Sequence, residues 1–564
     1  MDSQVNEKKL FKRNMLMFSA ATIGRDFLYN FFNGFLLTFV LLTKNLTTAQ
    51  FSAISIIIVL ARIFDALNDP IMGGIIENTR SRFGKYKPWQ LIGAVSTGVV
   101  IILLFNLPIY GWGFIGFLAV CYLMFSITFS MNDISYWGMM PTITSDAHER
   151  NTLTSVAQIF VGVGGGAAVG LVPILTTGNI GTAVFGSVPR AFGMLSIIAA
   201  VLMTGFQFFS LFGVKENQLL TPLQKAEKLK FKDIFKVILK NDQLLWAAVC
   251  LLIYSIGINA FNGGLSTMFI YFEFGYDGLL TVLFMVLSGG AGMLFTILFP
   301  ALSKKFGRSK VLYVTTSLAL VGFFLLMMFG LFIPNFGQFE LNLLGFTFTL
   351  SGKFILFMVA NVFTGLSGIY MIQTINMANA VEYNEYRTGE RQESLIFSLR
   401  PLTNKMASAL SQGVVSLVYL IAGVLAYTNK ISEIENYYSS KASLTEEESA
   451  EKLSQISEIL QSVPQHNKNV LIICMCMIPI VLGIVTMILY RKFFRLDEKK
   501  MIEINEAIKE RKLAALAASN ETSTESALAD STESASTEIV PDESTDDPSV
   551  STEATPIGEP TDKE

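Results

Sequence analysis

The sequence predicts an all-α polytopic membrane protein with twelve transmembrane helices in two six-helix halves and both termini in the cytoplasm. Three observations predict it. Apolar runs long enough to cross a bilayer recur from the N-terminus to about residue 491. Charged residues make up 15% of the 564, well below the roughly 25% of soluble domains. Arg and Lys concentrate on alternate connections, as the positive-inside rule requires of a multi-span chain. A soluble enzyme is excluded for the first 491 residues, whose mean hydropathy is high enough to leave the whole chain at +0.49.

Hydropathy places the spans near 17–43, 49–76, 89–108, 111–140, 151–176, 189–214, 243–274, 278–302, 310–333, 352–380, 394–427 and 467–491. The polar segment Met1–Arg13 leads directly into the first of them, so no cleavable signal peptide is expected. Arg80, Arg82, Lys85 and Lys87 follow span two. Lys225 to Lys240 follow span six, Lys304, Lys305, Arg308 and Lys310 follow span eight, and Arg387 and Arg391 follow span ten. The opposite short loops carry only Lys44, Arg190 and Lys353. This asymmetry puts both termini inside. An internal repeat divides the spans: Arg82-Phe83-Gly84-Lys85 follows span two and Lys305-Phe306-Gly307-Arg308 follows span eight, six spans apart in the same orientation. That is the parallel six-plus-six arrangement of the major facilitator fold. The expected units are 1–214, a Lys-rich linker 215–242, and 243–495 with an external insertion at 428–466. An amphipathic cytoplasmic helix over 496–518 and an acidic Ser/Thr-rich tail over 519–564 follow, the tail disordered. Within the insertion, Leu444-Thr445-Glu446-Glu447-Glu448 starts a short surface helix. Insertion, amphipathic helix and tail are expected to be solvated decoration.

Span two holds the main anomaly. Arg62, Asp65, Asn68 and Asp69 stand in its middle. Three ionised groups there oppose insertion by about 8–10 kcal/mol, against about 0.3–0.6 kcal/mol gained per Leu, Ile, Phe or Val. Asp65, Asn68 and Asp69 are spaced i, i+3, i+4, so their oxygens share one helix face. Two carboxylates at close range need a compensating cation, a bound Na⁺ or Li⁺ or a proton on one of them. Pairing with Arg62 and other helices as structural ion pairs is the other reading. Pro70 removes one backbone donor beside the cluster.

Other spans put polar groups at similar depth. Span one carries Arg25 and Asp26, then Tyr29, Asn30 and Asn33. Span four carries Ser130, Asn132, Asp133, Ser135 and Trp137, with Asp133 and Trp137 at i, i+4. A carboxylate beside an indole is suited to sugars, accepting from hydroxyls while the aromatic face covers C–H groups. Span eleven supplies Arg400 and Lys405, and Lys405 is the natural countercharge for the acidic cluster. Together these groups imply a hydrated central cavity. The glycine run 162–166 lies in an apolar span and serves helix packing. Cys121, Cys250, Cys474 and Cys476 lie in apolar segments and are expected to be free. His148 and His466 sit in connections, and neither zinc-ligand spacing nor a phosphate loop is present. No enzymatic activity, cofactor or nucleic-acid partner is expected.

The run Ala61–Gly73, followed by Thr79-Arg80-Ser81-Arg82-Phe83-Gly84-Lys85-Tyr86-Lys87-Pro88-Trp89, resembles the signature of the glycoside–pentoside–hexuronide:cation symporters. Gly24-Arg25-Asp26, Asn132 to Trp137, and Val381-Glu382-Tyr383 through Arg391-Gln392-Glu393-Ser394 fit the same family. The resemblance covers about residues 10–495. It implies a cation site at Asp65, Asn68 and Asp69, with Ser130 as a hydroxyl ligand in place of threonine and Lys405 beside it. These three residues would hold the metal ion if coupling is to Na⁺; H⁺ coupling stays open. It also implies sugar contacts by Asp26, Asp133 and Trp137. Arg150, Glu382, Glu385 and Arg391 would form cytoplasmic charge networks, and Arg62 would act in coupling.

Departures from the melibiose permease pattern fall in the sugar pocket. Gln158 replaces a sugar-binding arginine, Tyr370 a tryptophan, Arg400 a glutamine, and Asn379 an acidic gate residue. Melibiose itself is therefore not the expected substrate, and Arg400 would suit a hexuronide carboxylate. The short, histidine-free tail is not expected to act as a phosphotransfer domain. The implied function is cation-coupled sugar or glycoside uptake by alternating access at the cell membrane. The alternatives are cation-coupled carriage of a non-sugar amphiphile such as a lysolipid, and a non-transporting membrane sensor.

Overall fold

The computed structural model describes residues 2–144, 146–214, 241–333, 337–343, 346–389, 396, 399–441 and 443–514. The Lys-rich linker (215–240), Arg391 and the acidic tail lie outside them. The chain through Ile502 forms one compact unit, and residues from Glu503 onward fall in a second.

Helix follows helix as the apolar runs dictate. The first half comprises α1 (Asp2–Thr43), α2 (Thr48–Glu77), α3 (Lys87–Asn106), α4 (Gly111–Met139), α5 (Ala147–Thr176), a short external α6 (Gly178–Phe185) and α7 (Val188–Phe208), which ends in a π turn. Span seven is α8 (Asp242–Ala260) and α9 (Ser266–Glu273), joined by a π turn at Phe261–Leu265. α10 (Gly278–Phe306) and α11 (Arg308–Phe332) form the next two. A hairpin of β1 (Gln338–Leu343) and β2 (Phe346–Ser351), paired antiparallel with Gln338 opposite Ser351, then precedes span ten. The sequence reading did not contain this hairpin.

Ten helices among the described residues are long and apolar enough to span a membrane. The two remaining predicted spans are modified. Span ten divides into α12 (Gly352–Gly365) and α13 (Ile369–Thr388). Span eleven ends earlier than predicted: α14 (Leu399–Ile421) turns 88° into α15 (Val424–Ser439) at Gly423, whose φ of 63° favours glycine. After α16 (Glu446–Gln461), α17 (Gln465–Phe493) completes the last span. A helix over 498–514 follows where the amphipathic pattern predicted one.

Because lipid replaces water as the surroundings, α2 is amphipathic in reverse. Ile56, Leu60, Ile63, Leu67, Ile71 and Ile75 are exposed along one stripe, while Arg62 and Asn68 are buried on the other side. The helix continues through Pro70. The insertion is not solvated decoration, which corrects the expectation. Ile431, Glu435 and Tyr438 form a buried stripe on α15, and Lys452, Ile456 and Leu460 one on α16. Their spacing at i, i+4, i+7 or i+8 is legible in the sequence, but charged residues within it hide it from hydropathy. Thr445 and Glu448 form the capping box that starts α16. All four cysteines are free.

The glycine run packs helices, as its position in an apolar span implies. A Cβ on Gly164 would stand 2.2 Å from the Ile23 carbonyl of α1, whereas one on Gly162 meets nothing within 4 Å. Gly164→Val therefore forces α1 and α5 apart and is expected to cost about 1–3 kcal/mol. Thermal unfolding of the purified protein in detergent should show Gly164→Val melting well below wild type and Gly162→Ala unchanged.

Candidate functional site

Two charge clusters adjoin, one bridging the halves and one within the first half. The first is organised by the Lys405 ammonium of α14. It lies 3.0 Å from Asp65 Oδ2 and pairs with Asp69 Oδ2 as well. Each carboxylate has a second partner on α4: Ser126 Oγ donates to Asp65 Oδ1 at 2.7 Å, and Ser130 Oγ donates to Asp69 Oδ1 at 2.7 Å. The two pairs match because both helices repeat in steps of four residues, so 65/69 and 126/130 stand in register. Asn68 is buried on the same helix, and its Nδ2 has no hydrogen-bond partner among the described residues. Arg62, also buried, lies within electrostatic reach of Tyr122, Tyr29 and Asp65. Its nearest anionic neighbour is thus one of the same two carboxylates.

The second cluster is organised by Arg25 of α1, which is 2% exposed. Its guanidinium donates to Asp26 Oδ2 from Nη2 at 2.8 Å and from Nε at 3.1 Å, and Nη1 lies 3.1 Å from Asp133 Oδ1. The Tyr136 and Trp137 rings stand 4.6 and 5.2 Å from the guanidinium. Tyr136 is itself fixed, stacked on Phe18 and donating to the Phe18 carbonyl at 2.7 Å. Asp26, Asp133 and Trp137 therefore converge on one cation. Tyr29 lies within electrostatic reach of Arg62, Asp65 and Lys405 on one side and Asp133 on the other, so the two clusters adjoin.

Other expected residues take more distant places. Gln158 is exposed on α5, one face of which packs on α1. Tyr370 is the second residue of α13, and Arg400, partly buried, the second of α14. Glu382 and Glu385 lie on α13, Glu385 buried. Arg150 is exposed near the start of α5, with Nη2 3.4 Å from the Thr144 carbonyl. Asn379 on α13 has a buried Nδ2 with no hydrogen-bond partner among the described residues. Two residues were missed in the sequence. Ser126 was legible as the residue four before Ser130. Tyr122, next in the same series, carried only the weak signal of a polar tip on an apolar span.

With lysine and arginine ionised, Arg25, Arg62 and Lys405 supply three positive charges to four carboxylates, Asp26, Asp65, Asp69 and Asp133. With all four carboxylates ionised, the constellation is one positive charge short of neutrality. Removing Lys405 leaves Asp69 without a cation and Asp65 with Arg62 alone. These side chains are 20–35% exposed. Lys405→Met is therefore expected to cost about 1–3 kcal/mol, below the roughly 3–5 kcal/mol of a fully buried pair. Adding Asp69→Asn should recover part of that loss, as read by thermal unfolding in detergent.

A family model described as MFS/sugar transport protein matches residues 17–498. The lactose permease of Leuconostoc lactis is 26% identical over 435 residues, 74% of this chain and 64% of that protein. The raffinose carrier protein of Pediococcus pentosaceus is 28% identical over 425 residues, 72% of this chain and 62% of that protein. The chain thus spans a little under two thirds of the length of these relatives. The crystal structure of a D-xylose–proton symporter shares the fold, with a TM-score of 0.53 at 14% identity over 81% of this chain and 99% of that one.

Proposed function

The chain belongs to the MFS/sugar transport protein family, and from that premise we propose that it is a secondary active symporter that couples uptake of a sugar or glycoside to a monovalent cation, Na⁺ or H⁺. The observation that carries this reading is the charge count at the midplane. A site one positive charge short, in a region where lipid disfavours net charge, accepts a single monovalent cation. Asp65 and Asp69 with the Asn68 amide and the Ser130 hydroxyl form a hard-oxygen set suited to Na⁺, and either carboxylate suits a proton. The relatives named for lactose and raffinose carriage, and the fold shared with a proton symporter, support the sugar and the coupling.

The chemistry follows from competition for shared cations. A coupling ion at Asp65 and Asp69 loosens the hold of Lys405, which bridges the halves. Sugar hydroxyls donating to Asp26 and Asp133 replace bonds from Arg25, while Trp137 offers an aromatic face. Gln158, Tyr370 and Arg400 set which sugar fits. Arg150, Glu382, Glu385 and Arg391 act on the cytoplasmic side. Each ligand thereby raises affinity for the other, typically 5–150-fold for a coupling of 1–3 kcal/mol.

Uptake of a labelled glycoside panel in proteoliposomes, under imposed Na⁺ or H⁺ gradients, tests the proposal. Accumulation should follow one of the two gradients and fall at least tenfold in Asp69→Asn, with that variant still folded. Accumulation that ignores both gradients overturns symport, and uphill transport by Asp69→Asn overturns the ion site.

A further inference from the structure

The insertion after span eleven has no part in the site just described, yet it contains the most deeply buried ion pair among the described residues. Glu435 of α15 and Lys452 of α16 are 0% and 1% exposed, with Oε2 and Nζ 2.8 Å apart. Their remaining bonds go to both halves. The Val188 amide donates to Glu435 Oε2 at 2.8 Å, and the Tyr276 hydroxyl donates to Oε1 at 3.3 Å. Lys452 Nζ donates to the Gly186 carbonyl at 2.9 Å. Burial pushes the Glu435 carboxyl pKa up, while Lys452 and these donors oppose the shift.

Val188 is the first residue of α7, and Ser187 at its N-cap makes no capping hydrogen bond. The orphan amide and positive end of that helix are satisfied by a carboxylate from the other half of the protein. α15 also holds the end of α1. Asn436 Nδ2 donates to the Thr43 carbonyl at 2.9 Å, and Asn429 exchanges hydrogen bonds of 2.8 and 3.1 Å with the Leu46 backbone. Asn45 Nδ2 donates to Glu433 Oε1 at 2.8 Å. Directly beneath, Thr177 and Tyr271 of opposite halves hydrogen-bond at 3.3 Å. Both ends of the insertion are rooted in spans eleven and twelve, so it belongs covalently to the second half while its polar contacts grip the first.

We propose that the insertion is the outer gate of the transport cycle, with Glu435 and Lys452 pinning the external ends of α1 and α7 to the second half whenever the protein is closed to the outside. This rests on the alternating-access reading above. Opening outward separates Glu435 from Val188 and the asparagines from Thr43 and Leu46. Every group released is a charge, amide or carbonyl that water can satisfy, so the contact is reversible.

The test ties α15 to the first half covalently. Asn45→Cys with Glu433→Cys, in the full chain in membrane vesicles, is joined by oxidation or a short bis-thiol reagent. Two readouts follow: glycoside uptake by the cysteine pair alone, and, in a second chain that adds Gln158→Cys as a reporter, labelling by an impermeant maleimide added outside. Joining the pair should lower both at least tenfold, and reductant should restore both. Glu435→Gln, without any cross-link, should speed external labelling about fivefold. Labelling that persists after complete cross-linking overturns the gate, because the insertion then rides with the first half. Failure of the pair to join, or an unchanged rate in Glu435→Gln, also overturns it. Labelling that responds as expected while uptake is absent before and after reduction leaves the gate standing and overturns sugar symport instead.

Discussion

Lys405 lies between two carboxylates of the opposite half, and the arrangement of the polar groups around it depends on that contact. A helix carrying Arg62, Asp65 and Asp69 cannot face lipid. It is tolerated because α14 brings an ammonium to Asp65 and Asp69 and α4 brings a serine hydroxyl to each. The same contact joins the halves. A cation that competes with Lys405 for these oxygens acts on the carboxylates and on the interface between the halves at once. Coupling between ion and conformation requires such a shared element.

The Arg25 cluster repeats this logic with another cation. Arg25 holds Asp26 and Asp133 while lying against Tyr136 and Trp137. In both clusters an acidic pair is held by a basic side chain of the protein. A ligand entering either, as proposed, would exchange one set of bonds for another and not meet a bare charge. The external insertion applies the principle a third time, with Glu435 serving a helix end of the first half.

Much of this was legible because the energetics are severe. Charges in apolar spans are so unfavourable that Arg25, Asp26, Asp65, Asp69, Asp133 and Lys405 announced themselves, and helical spacing put Asp65, Asn68 and Asp69 on one face. Loop charge and the repeated Phe-Gly motif gave the two halves their order. Span ends were less legible where the chain bends. Gly423 turns α14 into α15 with no change in hydropathy that marks it. The insertion was misjudged because charged residues, Glu435 and Lys452, stand within its buried stripes. Glu435 and Lys452 are at home in the interior only through partners hundreds of residues away in the sequence, such as Val188. Ser126 was missed for a related reason: a serine in an apolar helix gains meaning only from the carboxylate opposite.

The central claim is that a single monovalent cation completes the midplane charge. Charge displacement on a solid-supported membrane, measured together with flux of a neutral glycoside, tests it most directly. The account predicts one elementary positive charge moved inward for each sugar. Sugar-driven flux that carries no charge, or two or more charges per sugar, contradicts it.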